Sequence, residues 1–164
     1  IPAVLIAAIY PFTKRFFSIP QAILGIAFSF GIPMSYAAVQ NSIPVDAWLL
    51  VIANIAWAIA YDTAYAMVDR EDDLTIGIKT SAITFGKYDV LVMMFCYAIT
   101  MSSFAVIALR HDLSNLFWVF WLVGLGLIIH YYQLVSKRVP QECFLAFKRN
   151  NWLGAALFLA LAFS

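Results

Sequence analysis

Twenty consecutive positions, VLVMMFCYAITMSSFAVIAL (Val90–Leu109), carry no Asp, Glu, Lys or Arg. About 20 apolar residues are what a helix needs to cross the hydrocarbon core of a bilayer. Such a span must satisfy its own backbone hydrogen bonds, because lipid offers none. The pattern recurs. Gln21–Val39 and Leu116–Val135 are also free of these four residue types, and Ala47–Val68 is broken only by Asp62. Ile1–Tyr10 and the stretch from Trp152 onward are shorter apolar pieces. The spacing predicts an all-α, polytopic transmembrane helix bundle embedded in a lipid bilayer. Only 12 % of residues are charged and 64 % are hydrophobic, against about 25 % charged in soluble domains. A net charge of +1 gives no reason to expect nucleic acid as a partner. The opening IPAVLIAAIY has no charged leader region, and the closing LFLALAFS stops in mid-helix. The expectation is one membrane domain over residues 1–164, cut at both ends.

The cations set the orientation. With the connections assigned alternately to two sides, Lys14, Arg15, Arg70, Lys79, Lys87, Lys137, Arg138, Lys148 and Arg149 share one side, and Arg110 alone lies on the other. Lys and Arg concentrate in cytoplasmic connections, so the nine-cation side is expected to face the cytoplasm. Asp46 and Asp112 are the only acids on the opposite side. The segment SKRVPQECFLAFKRN reads as an amphipathic connection at the interface. Cys96 and Cys143 lack metal-ligand spacing and read as free thiols. The five tryptophans read as span and belt residues, Trp57 among them. Thr80 and Ser81 read as loop, His111 and His130 as residues without a functional role, and Asn151 as the cap of the last helix.

Five of the nine acids (Asp62, Asp69, Glu71, Asp72 and Asp73) fall in AYDTAYAMVDREDDLTIGIKTSAITFG (Ala60–Gly86). On a helix, positions seven apart share a face. Asp62 and Asp69 therefore align, with Tyr65 between them, Asn54 deeper on the same stripe and Asp73 added if the helix continues. An ionisable residue within a span marks a functional site by default. Like charges gathered so closely repel unless a cation sits among them. Carboxylates are natural ligands of hard cations, and Mg²⁺ typically takes one or two of them with waters and substrate phosphates. A phosphorylated substrate bridged by Mg²⁺ fits, with Lys79, Lys14 and Arg15 on the same membrane face. A cation or proton transporter would also place carboxylates in spans, but it would need polar residues through the whole bilayer. A structural subunit would leave the acidic stripe without a role.

YDTAYAMVDREDD followed by GIKTSAITFG closely resembles the second aspartate-rich motif of the UbiA family of intramembrane aromatic prenyltransferases. YPFTKRFFSIPQAILGIAFSFGIP resembles that family's YxxxK stretch and the helix after it, and NNWLG resembles the start of its last helix. The resemblance runs along nearly the whole chain, in the family's order. It implies a nine-helix bundle, of which five to six helices are present, with a central cavity under a cytoplasmic cap. It implies Asp69 and Asp73 as Mg²⁺ ligands and Asp62 in the same cavity, near metal or substrate. Tyr10 and Lys14 fall on the YxxxK positions, and Lys79 on a basic position near the diphosphate. The implied reaction moves a polyprenyl group from polyprenyl diphosphate to the ring carbon ortho to the hydroxyl of 4-hydroxybenzoate, for ubiquinone, at a bacterial inner membrane. Homogentisate, a naphthoate, haem or a lipid alcohol are alternative acceptors. Asp62 is the candidate ring-proton base, and Lys14 or Arg15 the candidate partner of the benzoate carboxylate. Tyr65 and Asn54 are candidate substrate contacts. The family's first motif, of the form NDxxD, is absent, so the missing N-terminal helices of the same protein would have to supply half of the metal site.

Overall fold

The computed structural model describes residues 2–13 and 16–164. Lys14 and Arg15 lie outside the described residues, as does the side chain of Tyr10. Every regular element among them is helical: α1 (Pro2–Thr13), α2 (Pro20–Ser29), α3 (Gly31–Gln40), α4 (Val45–Val68), α5 (Arg70–Ile76), α6 (Ser81–Phe85), a 3₁₀ turn (Gly86–Tyr88), α7 (Asp89–Arg110), α8 (Asn115–Val135), α9 (Pro140–Arg149) and α10 (Asn151–Ala162). Four stretches are long and apolar enough to cross a membrane: Pro20–Gln40, Val45–Val68, Ser81–Arg110 and Asn115–Val135.

The central helix is α4, packed against α7, α2 and α9, while α8 packs mainly on α10. Its buried faces are built from alanine: Ala47, Ala53, Ala56, Ala58, Ala60, Ala64 and Ala66. Small side chains let helices approach closely where lipid gives no hydrophobic drive. The α2–α4 crossing is close at Gly25, where an added Cβ would lie 3.0 Å from the Ile55 Cα and 3.2 Å from its carbonyl oxygen.

The second predicted span is two helices rather than one. Pro33 has no N–H to give the Ser29 carbonyl, and its ring crowds that carbonyl. The helix accordingly breaks between Ser29 and Gly31. The third predicted span, Ala47–Val68, ends at Val68 as expected. Asp69 leaves the α4 helix with φ −93° and ψ 8°, and α5 restarts after it. One turn of continuity survives, since the Asp73 N–H donates to the Asp69 carbonyl at 2.8 Å. Gly77, at φ 71°, ends α5 in a left-handed cap.

The segment read as a loop around Thr80 and Ser81 is instead buried and pinned. The Thr80 side chain caps α6 by accepting from the Ile83 N–H. Ser81 Oγ lies 2.7 Å from Thr63 Oγ1, and its N–H donates to Gln21 Oε1 at 3.1 Å. The amphipathic connection after α8 is helical, as α9, with Cys143 and Ala146 buried. Asn151 does not cap the last helix. Asn150 precedes it and makes no side-chain cap bond, because its amide bonds elsewhere.

The two ends of the antiparallel α4–α7 pair each carry an ion network. At one end Asp46 meets Arg110 (3.0 Å) and His111 (2.7 Å). At the other, Asp89 meets Arg70 and Arg138. His130 is bonded too, with its Nε2 2.7 Å from Arg149 Nη1.

Candidate functional site

The helical period of α4 carries one line of side chains from the membrane interior to its acidic end: Asn54, Trp57, Tyr61, Tyr65, then Asp69. The aromatic members touch in sequence. Trp57 and Tyr61 rings meet edge-on at 5.7 Å, and Tyr61 lies 6.1 Å from Phe147 of α9. Tyr65 lies 5.0 Å from Phe147 and 6.5 Å from Phe144. Because α9 is amphipathic, its apolar face supplies these two phenylalanines while Cys143 and Ala146 pack inward. The result is an aromatic wall between α4 and α9.

The carboxylates gather where this wall ends. Tyr65 interacts first with Asp69, by charge and hydrogen bonding, and then with the charges of Asp62 and Asp73. All three carboxylate residues are half-buried, whereas Glu71 and Asp72 are exposed. Tyr65 thus lies within electrostatic reach of all three predicted carboxylates. Lys79 is exposed, and its Nζ donates to the Phe16 carbonyl at 3.3 Å, tying the α5–α6 connection to the segment before α2.

Inward from Tyr65 lies a cavity of about 390 Å³ lined by Phe28, Asn54, Trp57, Tyr61, Phe147, Lys148, Asn150 and Asn151. Asn54 and Trp57 also line a second, smaller and apolar cavity of about 210 Å³, which continues toward Thr100, Phe104, Gly154 and Leu157. Trp57 therefore stands between the two. Its indole N–H donates to Asn150 Oδ1, and the Asn150 amide donates in turn to the hydroxyl of the buried Tyr97. An added Cβ at Gly154 would fall 2.6 Å from the Trp57 ring, so only glycine admits the indole there. Asn54 is held by donating to Ser29 Oγ at 3.0 Å.

A hard, oxygen-only donor set of this kind suits Mg²⁺. Among the described residues no three His, Cys, Asp or Glu side chains come together closely enough to hold a metal ion. A partial set of carboxylates completed by water and phosphate is the usual way Mg²⁺ is held, so the residues fit as part of a site.

A profile of the UbiA prenyltransferase family matches residues 1–161. The chain belongs to the UbiA prenyltransferase family. Among curated UbiA relatives it is 58 % identical to a 4-hydroxybenzoate octaprenyltransferase of Polynucleobacter asymbioticus, over 97 % of this chain and 55 % of that protein. It is 56 % identical to one of Herminiimonas arsenicoxydans, over 96 % of this chain and 56 % of that protein. A third, from Paraburkholderia xenovorans, is 52 % identical over 99 % of this chain and 56 % of that protein. The chain thus spans a little over half the length of these relatives. The apo structure of a UbiA homologue from Aeropyrum pernix superposes with a TM-score of 0.74 at 22 % identity, covering 97 % of this chain and 62 % of that one. That likeness establishes the UbiA fold. With four membrane-length helical stretches among the described residues, this UbiA chain is an integral membrane protein.

Three residues with a place in or beside this site escaped the sequence reading. Trp57 read as an ordinary span tryptophan, although its i+4 spacing to Tyr61 and Tyr65 was a usable sign of one aromatic face. Asn150 and Asp89 gave no local signal, since their partners are distant in sequence.

Proposed function

We propose that the full-length protein transfers a polyprenyl group from a polyprenyl diphosphate to the carbon ortho to the hydroxyl of 4-hydroxybenzoate, in ubiquinone synthesis. The observation that carries this reading is the trio Asp62, Asp69 and Asp73 within electrostatic reach of Tyr65 at the outer end of an aromatic-walled cavity, in a chain of this family. The relatives' names supply the acceptor and the donor class. Metal-assisted prenyl transfer is common to the family, and Mg²⁺ is the ion this donor set suits.

When bound, Mg²⁺ supplies Lewis-acid neutralisation of the diphosphate leaving group. Asp69 and Asp73 would hold it, with Asp62 as a further candidate ligand. Lys79 and Lys14 are assigned to add positive charge near the diphosphate, and Tyr10 to contact the substrate. The allylic C–O bond breaks with its electron pair leaving on the diphosphate, and the ring carbon forms the new C–C bond. Asp62 accepts the displaced ring proton. Lys14 or Arg15 pairs with the benzoate carboxylate, for which the arginine fork is well shaped. Tyr61, Tyr65 and Phe147 keep water from the cationic carbon and present ring faces that attract positive charge. Tyr65 and Asn54 orient the substrates along the cavity. The acidic mouth faces the cytoplasm of a bacterial inner membrane in this reading, and the distribution of cations between the two sides supports that orientation.

The test is transfer of a polyprenyl group to labelled 4-hydroxybenzoate in membranes carrying the full-length protein, with and without Mg²⁺. Mg²⁺-dependent product, reduced at least about a hundredfold by Asp69→Asn, is expected. No product from a well-inserted protein would sink the 4-hydroxybenzoate reading. Undiminished product from Asp69→Asn would remove the role given to the carboxylates.

A further inference from the structure

The start of α7 and the end of α8 enclose a groove that the reaction above does not use. Its volume is about 330 Å³, and it is lined by Val90, Leu91 and Met94 from α7 and by Tyr132, Ser136 and Arg138 from the end of α8 and the turn after it. Both spans enter the apolar layer at this level. Val90–Leu109 and Leu116–Val135 carry no Asp, Glu, Lys or Arg, whereas charged residues begin again at Asp89 and Lys137. Because α8 packs mainly on α10, room is left between it and α7. The groove therefore straddles the boundary of the hydrocarbon, with three aliphatic side chains on one side and a phenol, a hydroxyl and a guanidinium on the other.

Arg138 is fixed at the rim at a cost to its backbone. Its φ of 55° lies in the left-handed region that residues other than glycine rarely adopt. Nε and Nη2 donate to the buried Asp89 carboxylate at 3.0 and 2.7 Å, and Nη2 also donates to the Lys87 carbonyl at 2.9 Å. The Arg138 side chain is nevertheless 38 % exposed. Asp89 is shared with Arg70, so two arginines around one carboxylate leave a positive charge over. Lys87 and Lys137, both exposed, add two more beside Arg138. The Lys87 Nζ lies 5.1 Å from the centre of the Tyr88 ring. Tyr88 and Tyr132 are exposed at this end, as tyrosines at a membrane interface are. Among the described residues no acid lines the groove; Glu71 and Asp72 share with Arg138 a different cleft, against Met67 and Val68.

We propose that this groove binds an anionic phospholipid of the surrounding bilayer. The phosphate lies among Arg138, Lys87 and Lys137, and the upper acyl chain runs along Val90, Leu91 and Met94. Basic pockets between membrane helices favour anionic headgroups. A guanidinium already held by a carboxylate and a carbonyl loses little further freedom when a phosphate arrives. A free phosphate would leave the aliphatic floor uncovered, and a lipid without net charge would leave the surplus positive charge unmet. An anionic lipid answers both halves of the groove. The inference is independent of the prenyl acceptor and of the metal.

The experiment uses the full-length protein in phosphatidylcholine nanodiscs containing a trace of a photoactivatable lipid with a diazirine in its acyl chain. One probe is a phosphatidylglycerol and the other a phosphatidylcholine. After irradiation, mass spectrometry measures label on the peptides that carry Leu91, Met94 and Tyr132. The phosphatidylglycerol probe is expected to label them at least about tenfold more than the phosphatidylcholine probe, and unlabelled phosphatidylglycerol, but not inorganic phosphate, is expected to compete. Lys87→Gln with Lys137→Gln should lower the phosphatidylglycerol label at least about tenfold, since each basic residue near the surface contributes about fivefold. That double variant should leave the phosphatidylcholine label unchanged, which shows the groove intact, and Lys148→Gln on the far side of α9 should change neither. Equal labelling by the two probes, or an undiminished phosphatidylglycerol label in the double variant, would overturn the proposal. So would parallel loss of both labels, competition by inorganic phosphate, or no label from either probe, the last being the result if a helix outside this chain fills the groove.

Discussion

Cys143 lies on the buried side of α9, close enough to Asp89, Arg70 and Arg138 to feel all three charges. Burial pushes its thiol up to about 11, with the Asp89 charge acting in the same direction. Only the thiolate reacts with maleimides, and at pH 7 a thiol of that kind is about one part in ten thousand ionised. Labelling of the folded protein at pH 7 should therefore be negligible at Cys143. Raising the pH to 9 should speed it about a hundredfold from that low base, and denaturation at pH 7 should make it fast. Mass spectrometry of the labelled peptide reads all three; rapid labelling of folded protein at pH 7 would contradict the burial of α9. At this scale the sequence was uneven. Asp62, Tyr65 and Asp69 were legible because one helical period connects them. Asp89 was not, because its partners lie 19 and 49 positions away and only tertiary packing brings them together. Asn150 likewise joins Trp57 to Tyr97 across 93 and 53 positions.

Helix contacts here are decided by single small residues. Gly25 meets the backbone of α4, which has no side-chain end to swing away, whereas Gly31 has open space around its missing Cβ. Gly25→Ala should cost about 1–3 kcal/mol through overpacking, while Gly31→Ala should be neutral or gain roughly 0.4–1 kcal/mol by reducing unfolded-state entropy. Thermal unfolding of the two variants in one detergent makes the comparison; equal losses would argue against the α2–α4 crossing. The spans were legible from length and apolarity alone, and α9 from its amphipathic pattern. The break at Asp69 was not. Nothing in VDREDD forbids continued helix; beyond the turn Arg70 bonds the Ala82 carbonyl and Asp89 on other elements. The break at Phe30 sits where Pro33 removes a bond, so the residues that made it were visible while its extent was not.

Across the whole chain, alternation of spans assigns Asp112 and Lys137 to opposite faces, and both are exposed. In a full-length protein without Cys96 and Cys143, Asp112→Cys should react with a membrane-impermeant maleimide in intact cells, and Lys137→Cys should react only after lysis. The reverse result would invert the proposed orientation and put the acidic mouth outside. The Asp46–Arg110–His111 network bears on how this arrangement is reached. In the proposed orientation the charges that travel outward are Asp46, Asp112 and Arg110, two acids and one base, for a formal net of −1 with His111 neutral. A membrane potential negative inside is worth about 2.3 kcal/mol per elementary charge per 100 mV. In the proposed orientation the field would therefore pull this end of the bundle out of the cell during insertion, helping Arg110 across in company with its acids, and would hold back the opposite end with its nine cations.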